Sequence, residues 1–145
     1  MNSGGNADKP VDLMGLLHTA YAAQAEVEAK LAEIDLSLPK LLALKALSEA
    51  GDALPLGQLA ERLSCVKSNI TQLVDRLEAD GLVARKADPG DRRTRLAELT
   101  PAGRTAVVEG SRLQTETERA LLTALSGDES RQLALLLEKI GQPRG

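Results

Sequence analysis

The chain is predicted to be mainly α with a small β-wing, a winged helix-turn-helix flanked by long N- and C-terminal helices. Three observations carry that prediction. Two short amphipathic segments, LGQLAERL and VKSNITQLVDRLEADG, are separated by the tight turn Ser64-Cys65. An extended segment, LVARKA, then runs into the tip DPGDRR, and a second one, TRLAELT, follows. The composition is rich in Leu and Ala, with one Tyr and no Phe or Trp, which suits helix-on-helix packing. A turn between two short helices serves many purposes, but one followed by an Arg-rich ribbon serves few. A helix has the width of a major groove, and a ribbon tip can carry an arginine into the narrower minor groove.

A chain of 145 residues is large enough for one core. The opening MNSGGNADKP has no basic start followed by an apolar run, so a flexible tail is expected and not a secretory signal. Leu13, Leu17, Ala20, Val27, Leu31, Ile34 and Leu38 then recur at spacings of four and three, with Gln24 in one slot. This predicts a long first helix with one narrow apolar seam. The seam is too long for one small core, so part of it is expected to face a partner chain. Ser37 and Pro39 open a second helix, LPKLLALKALSEAG, which Gly51 ends. Asp52 to Pro55 is expected to be a connector.

The third helix is expected from Gly57 to Leu63, with Leu59, Ala60 and Leu63 inward. The fourth is expected from Val66 to Asp80, with Ile70, Leu73, Val74 and Leu77 as its buried stripe. Its opposite face carries Lys67, Ser68, Thr71, Gln72 and Asp75, flanked by Asn69 and Arg76. These are hydrogen-bonding side chains suited to base edges, although a solvated face has the same look. In the second ribbon strand Arg95, Ala97 and Leu99 share one face, with Leu96 and Glu98 on the other. Pro89-Gly90 supplies the turn at the tip. Thr100-Pro101 starts a fifth helix, expected to reach about Ala124. Ser126 and Glu129 form a capping box for the last helix, with Leu133, Leu136, Leu137 and Ile140 as inner positions.

A net charge of −3 is unusual for a DNA binder, but its distribution is uneven. Ala60 to Arg104 holds nine Lys/Arg against seven Asp/Glu, and the remainder holds nine against fourteen. Arg85, Lys86, Arg92, Arg93, Arg95 and Arg104 gather around the ribbon, giving the local positive field that phosphate contact requires. No segment has the apolar length of a membrane span. One Cys excludes an internal disulfide, so a reducing, cytoplasmic setting is expected. One His and one Cys cannot supply a four-ligand metal site. No nucleophile–base pair or phosphate loop points to an enzyme, and no cofactor is implied.

The stretch LAERLSCVKSNITQLVDRLEADGLVARKADPGDRRTRLAELTPAGR resembles the core of the MarR family of bacterial transcriptional regulators. The markers are LAERL, VDRLE-x-x-GLV, the D-x-R of the wing within DPGDRR, and LT-x-x-GR. The resemblance implies a homodimer on double-stranded DNA, usually a repressor at a pseudo-palindromic operator. It divides the chain into a tail (1–10), dimerisation helices (11–36 and 101–142) and a DNA-binding domain (37–100). It also implies a pocket between the dimerisation and DNA-binding parts, where small, often anionic or phenolic, ligands release many members. With no Phe or Trp to line it, a small apolar or phenolic effector is expected for this chain. Carried over by position, Lys67, Ser68, Asn69, Thr71 and Gln72 would face the major groove, with Arg76 beside them. Arg92 would enter the minor groove, while Arg93 and Arg95 would support phosphate contact. Asp88 and Asp91 would brace the tip, since carboxylates repel phosphate.

The chain departs from the family pattern at the turn. Where Gly, an apolar residue and a capping Ser are common, it has Ser64, Cys65 and Val66. Val66 cannot cap the recognition helix, which leaves Ser64 to supply the hydroxyl or the first turn to fray. Gln72 stands where an Arg is common. Cys65 has two readings, an apolar plug between helices or an oxidant sensor. His18 and Tyr21 also have two, as effector contacts or as part-exposed residues at the base of a dimer. A competing reading of the whole chain is a winged-helix protein-interaction module without specific DNA binding. It requires an apolar outer face on the fourth helix, and that face is polar.

Overall fold

The computed structural model describes residues 9–63 and 69–144. Helix α1 (Leu13–Ala32) is capped by Asp12, whose carboxylate accepts the Gly15 N–H at 2.7 Å. It does not run on through Ile34 and Leu38 as its seam predicts. Asp35 takes a left-handed φ of 56°, and the Leu36 N–H turns back to the Leu31 carbonyl at 3.0 Å. Leu38 is the first residue of α2 (Leu38–Glu49), where the segment LPKLLALKALSEAG predicts that helix to start. Ile34 and Leu38 still pack on the common core, so their spacing survives a reversal that a period cannot register. The Ser37 hydroxyl caps α2 by accepting the Lys40 N–H at 3.3 Å. Gly51, at φ 83°, ends it, and the Asp52 N–H reaches the Leu47 carbonyl at 2.8 Å.

The expected connector is a strand. β1 (Ala53–Pro55) pairs with β3 (Asp91–Leu99), placing Leu54 opposite Ala97, and β2 (Val83–Asp88) pairs with the other edge of β3. The wing is therefore a three-stranded antiparallel sheet in the order β1-β3-β2, not a two-stranded ribbon. Three residues are too few for a detectable alternation, and their partner lies far along the chain.

Helices α3 (Leu56–Arg62) and α4 (Ile70–Ala79) complete the winged unit. Leu31, Leu41, Leu44, Leu47, Leu59, Val74 and Leu77 are fully buried and join the end of α1 to α2, α3 and α4. Helix α5 (Pro101–Leu122) starts at Thr100, whose hydroxyl accepts the Gly103 N–H at 3.0 Å, and runs along α1 and α2. Gly103 permits a close approach: a Cβ there would stand 2.1 Å from the Leu82 carbonyl oxygen. This contact ties the start of α5 to the base of the wing.

Helix α6 (Gly127–Gly141) carries the expected capping box, with Ser126 and Glu129 each accepting the other's N–H. Its expected inner positions are not inward. Leu133, Leu136, Leu137 and Ile140 are 38%, 55%, 49% and 52% exposed, and no residue of α6 is buried. The core closes among α1 to α5 and the strands, and among the described residues nothing buries the apolar face of α6. No helix among the described residues is long and apolar enough to cross a membrane.

Candidate nucleic-acid interface

Helix α4 is seated by Leu73, Val74 and Leu77, with Ile70 half-buried, and this leaves Thr71, Gln72, Asp75 and Arg76 exposed on its outer side. It begins at Ile70, not Val66. Its cap is Asn69, whose Oδ1 accepts the Thr71 N–H at 3.0 Å and the Gln72 N–H at 3.3 Å. The cap sought at Ser64 is thus Asn69, a residue type among the best for the position. With its oxygen engaged by the backbone, the Asn69 side chain has its amide nitrogen left as a donor group. Ser64, Cys65, Val66, Lys67 and Ser68 lie outside the described residues.

In the wing, β2 and β3 stay in register from Val83–Leu99 to Ala87–Arg95, and then Asp88 faces Asp91 across Pro89-Gly90. The jump leaves Arg92, Arg93 and Thr94 as extra residues on β3, a bulge that re-aims side chains at the tip. The expected bracing by carboxylates is present. Asp88 accepts the Gly90 N–H at 2.9 Å, and Asp91 accepts the Arg93 N–H at 3.0 Å and the Thr94 hydroxyl at 3.1 Å.

The basic residues around the wing fall into two groups. Arg85 pairs with Asp75 at 2.5 Å and Glu78 at 3.2 Å, Lys86 with Glu98 at 2.6 Å, and Arg104 with Asp52 at 2.8 Å. Arg92, Arg93 and Arg95 are exposed, and among the described residues no carboxylate lies within ion-pair distance of them or of Arg76. Counting cations along the sequence could not separate the groups, because their partners come from α4, the α2–β1 turn and the neighbouring strand. The hydrogen bond from Asp75 raises the pKa of Arg85 beyond its usual value, with the charges of Asp75 and Glu78 adding to it against desolvation. Arg85 is therefore a fixed cation inside the unit, a role that its place in a basic run does not reveal.

A cleft of about 590 Å³ lies where the α1–α2 turn, the end of α4 and the start of α5 meet. Ile34, Leu36, Leu82 and Ala106 line it, and the Lys40–Asp80 ion pair, 2.8 Å long, stands at it. Its aliphatic lining follows from a sequence without Phe or Trp. His18 and Tyr21 do not reach it. Both are exposed in the first half of α1, about 16 Å or more along the helix axis from its C-terminal end.

Residues 36–94 match the MarR family. A Bacillus subtilis HTH-type transcriptional regulator, YkoM, is 35% identical over 86 residues, covering 59% of this chain and 56% of its own length. An HTH-type transcriptional repressor of Mycobacterium tuberculosis is 28% identical over 134 residues, 92% of this chain and 95% of the relative. Among solved structures, Bordetella bronchiseptica BpsR, described for the regulation of its DNA binding by 6-hydroxynicotinic acid, is similar at a TM-score of 0.79 and 26% identity. That match covers 94% of this chain and 100% of the other.

Proposed function

Because the chain belongs to the MarR family of transcriptional regulators, we propose that it is a homodimeric repressor of a pseudo-palindromic operator, released by a small ligand. The observation that carries the DNA reading is the division of the wing cations. Arg85, Lys86 and Arg104 are consumed by the fold, whereas Arg92 and Arg93 are exposed on a braced bulge and Arg95 is exposed on the paired strand next to it. Gln72 and Thr71, with Asn69 as a donor and with Lys67 and Ser68 ahead of them, read the major groove, and Arg76 flanks them. Arg92 enters the minor groove, and Arg93 and Arg95 hold phosphates. The polar outer face of α4 disfavours a pure protein-interaction module.

The dimer is supported by apolar surface without cover. Val11, Leu13, Met14 and Tyr21 at the start of the chain and Leu135, Leu136, Leu137 and Ile140 on α6 are all exposed. A second copy would bury them, with segments 11–36 and 101–142 as the dimerisation helices, and would place His18 and Tyr21 at the dimer base. Two winged units then span half-sites about one DNA turn apart, roughly 34–36 Å.

For release, the cleft sets aliphatic side chains beside Asp35 and the Lys40–Asp80 ion pair, and a ligand carboxylate would take Lys40 by displacing Asp80. The acid that regulates BpsR is a relative's precedent for that chemistry. Selection from a random duplex pool tests the reading. Enrichment of a two-fold symmetric site is expected, with release by members of a panel of aromatic and aliphatic acids. No enrichment would favour the interaction module. Enrichment without release by any acid would leave a repressor governed by its own abundance.

A further inference from the structure

Thr71, Asp75 and Glu78 follow one another at spacings of four and three, so they form one stripe along α4. Arg85 of β2 lies across that stripe. Its guanidinium reaches Asp75 Oδ1 at 2.5 Å, Glu78 Oε1 at 3.2 Å and the Thr71 carbonyl at 3.5 Å, and its backbone N–H donates to Glu78 Oε2 at 3.2 Å. Among the described residues, the side chains that link α4 to the wing by a hydrogen bond or ion pair are Arg85 and its two partners, Asp75 and Glu78. We propose that Arg85 is a positioning residue for DNA recognition. It sets the angle between α4 and the wing, so that Gln72 and Arg92 meet their two grooves together, and it does not itself hold phosphate.

The inference rests on the DNA-binding reading above and adds to it a specificity-determining residue. Three arguments support it. A planar guanidinium with several fixed donors defines an orientation, as an ammonium would not. Its charge is more than matched by the two carboxylates, so the cluster as a whole does not attract DNA. Partly exposed ion pairs add little to stability, so a network spanning the two reading elements acts on their relative placement more than on the fold. Fixing both elements before binding removes an ordering cost from the specific complex.

The test uses two changes of opposite charge. Arg85→Gln removes a cation, and Asp75→Asn combined with Glu78→Gln removes two anions. Affinities are measured for the duplex that the wild type selects from a random pool and for random duplex, each at several salt concentrations. Both variants are expected to reduce the ratio of the two affinities by about tenfold, the scale of one lost base-edge contact. Arg85→Gln is expected to keep the salt dependence of the wild type, and Arg85→Lys to restore charge without restoring the ratio.

A purely electrostatic role would move the two variants in opposite directions on both duplexes and leave the ratio alone. A phosphate contact would reduce the salt slope of Arg85→Gln by about 0.9. Either result overturns the proposal. If Arg85→Gln proves unstable, the carboxamide pair decides alone by the same ratio. Arg92→Ala in the same titration keeps the two failures apart. A wild type that enriches no duplex, or an Arg92→Ala that binds unchanged, removes the underlying reading. A responsive Arg92 with an unchanged ratio at the clamp removes only the role of Arg85.

Discussion

Leu77 and Leu137 are both leucines on amphipathic helices, yet one is fully buried in α4 and the other is 49% exposed on α6. The winged unit shares one closed core with the end of α1 and the side of α5. Its apolar stripe meets α2 and α3, α2 and α4 carry side-chain caps, and its carboxylates hold cations from the strands and from α5. Helix α6 and the first half of α1 obey the same pattern rules without finding a surface to cover among the described residues. An apolar face is thus a statement about what an element needs, and it does not say which chain supplies it. Reading both regions as inward-facing was right about chemistry and wrong about where inward lies for α6.

The largest effect expected from this contrast is on assembly. Ending the chain after Gly127 removes Leu133, Leu136, Leu137 and Ile140, each worth about 1.5–3 kcal/mol when buried. Sedimentation should then show a monomer that keeps its winged unit, and a stable dimer would show that α6 is not the interface. Next, Leu77→Ala should cost about 2–5 kcal/mol, the same at every protein concentration. Leu137→Ala should instead lower the melting midpoint more as the protein is diluted. Identical concentration dependence for the two variants would erase the distinction.

Gly103→Ala probes the seam between the regions. Its Cβ would meet the Leu82 carbonyl at 2.1 Å, and overpacking of this kind costs about 1–3 kcal/mol. Thermal unfolding should register that loss, and an unchanged midpoint would mean that α5 can shift away from the wing without cost. Arg92→Ala should leave the midpoint alone and weaken binding to the selected duplex about tenfold, or about 1.4 kcal/mol, in a gel-shift titration. An unchanged affinity would remove Arg92 from the minor groove.

The smallest effect concerns the cap of α6. The Ser126 N–H donates to Glu129 at 2.9 Å, and this bond holds the Glu129 pKa below the usual value. A depressed folded-state pKa contributes stability above the unfolded value, and that contribution is lost as the pH falls through the lowered one. Amide exchange at Ser126 should therefore quicken in acid relative to Glu129→Gln, whose cap does not titrate. Parallel profiles would show that the carboxylate does not hold the cap.

The sequence by itself determined every helix except the start of α4 and the end of α1. It also determined the caps at Ser37, Thr100 and Ser126, the stripe of α4 and the bracing role of Asp88 and Asp91. All of these depend on neighbours within a few residues, where periodicity and side-chain-to-backbone hydrogen bonds leave a mark. Tertiary structure alone decided the strand β1, the pairing of Arg85 with α4, the bulge that presents Arg92 and the outward face of α6. Each joins or separates groups distant along the chain, and a one-residue reversal at Asp35 or a register jump after Ala87 leaves the local pattern unchanged. Which arginines lie outside ion pairs among the described residues is therefore a property of the folded contacts, although every one of those arginines can be counted beforehand.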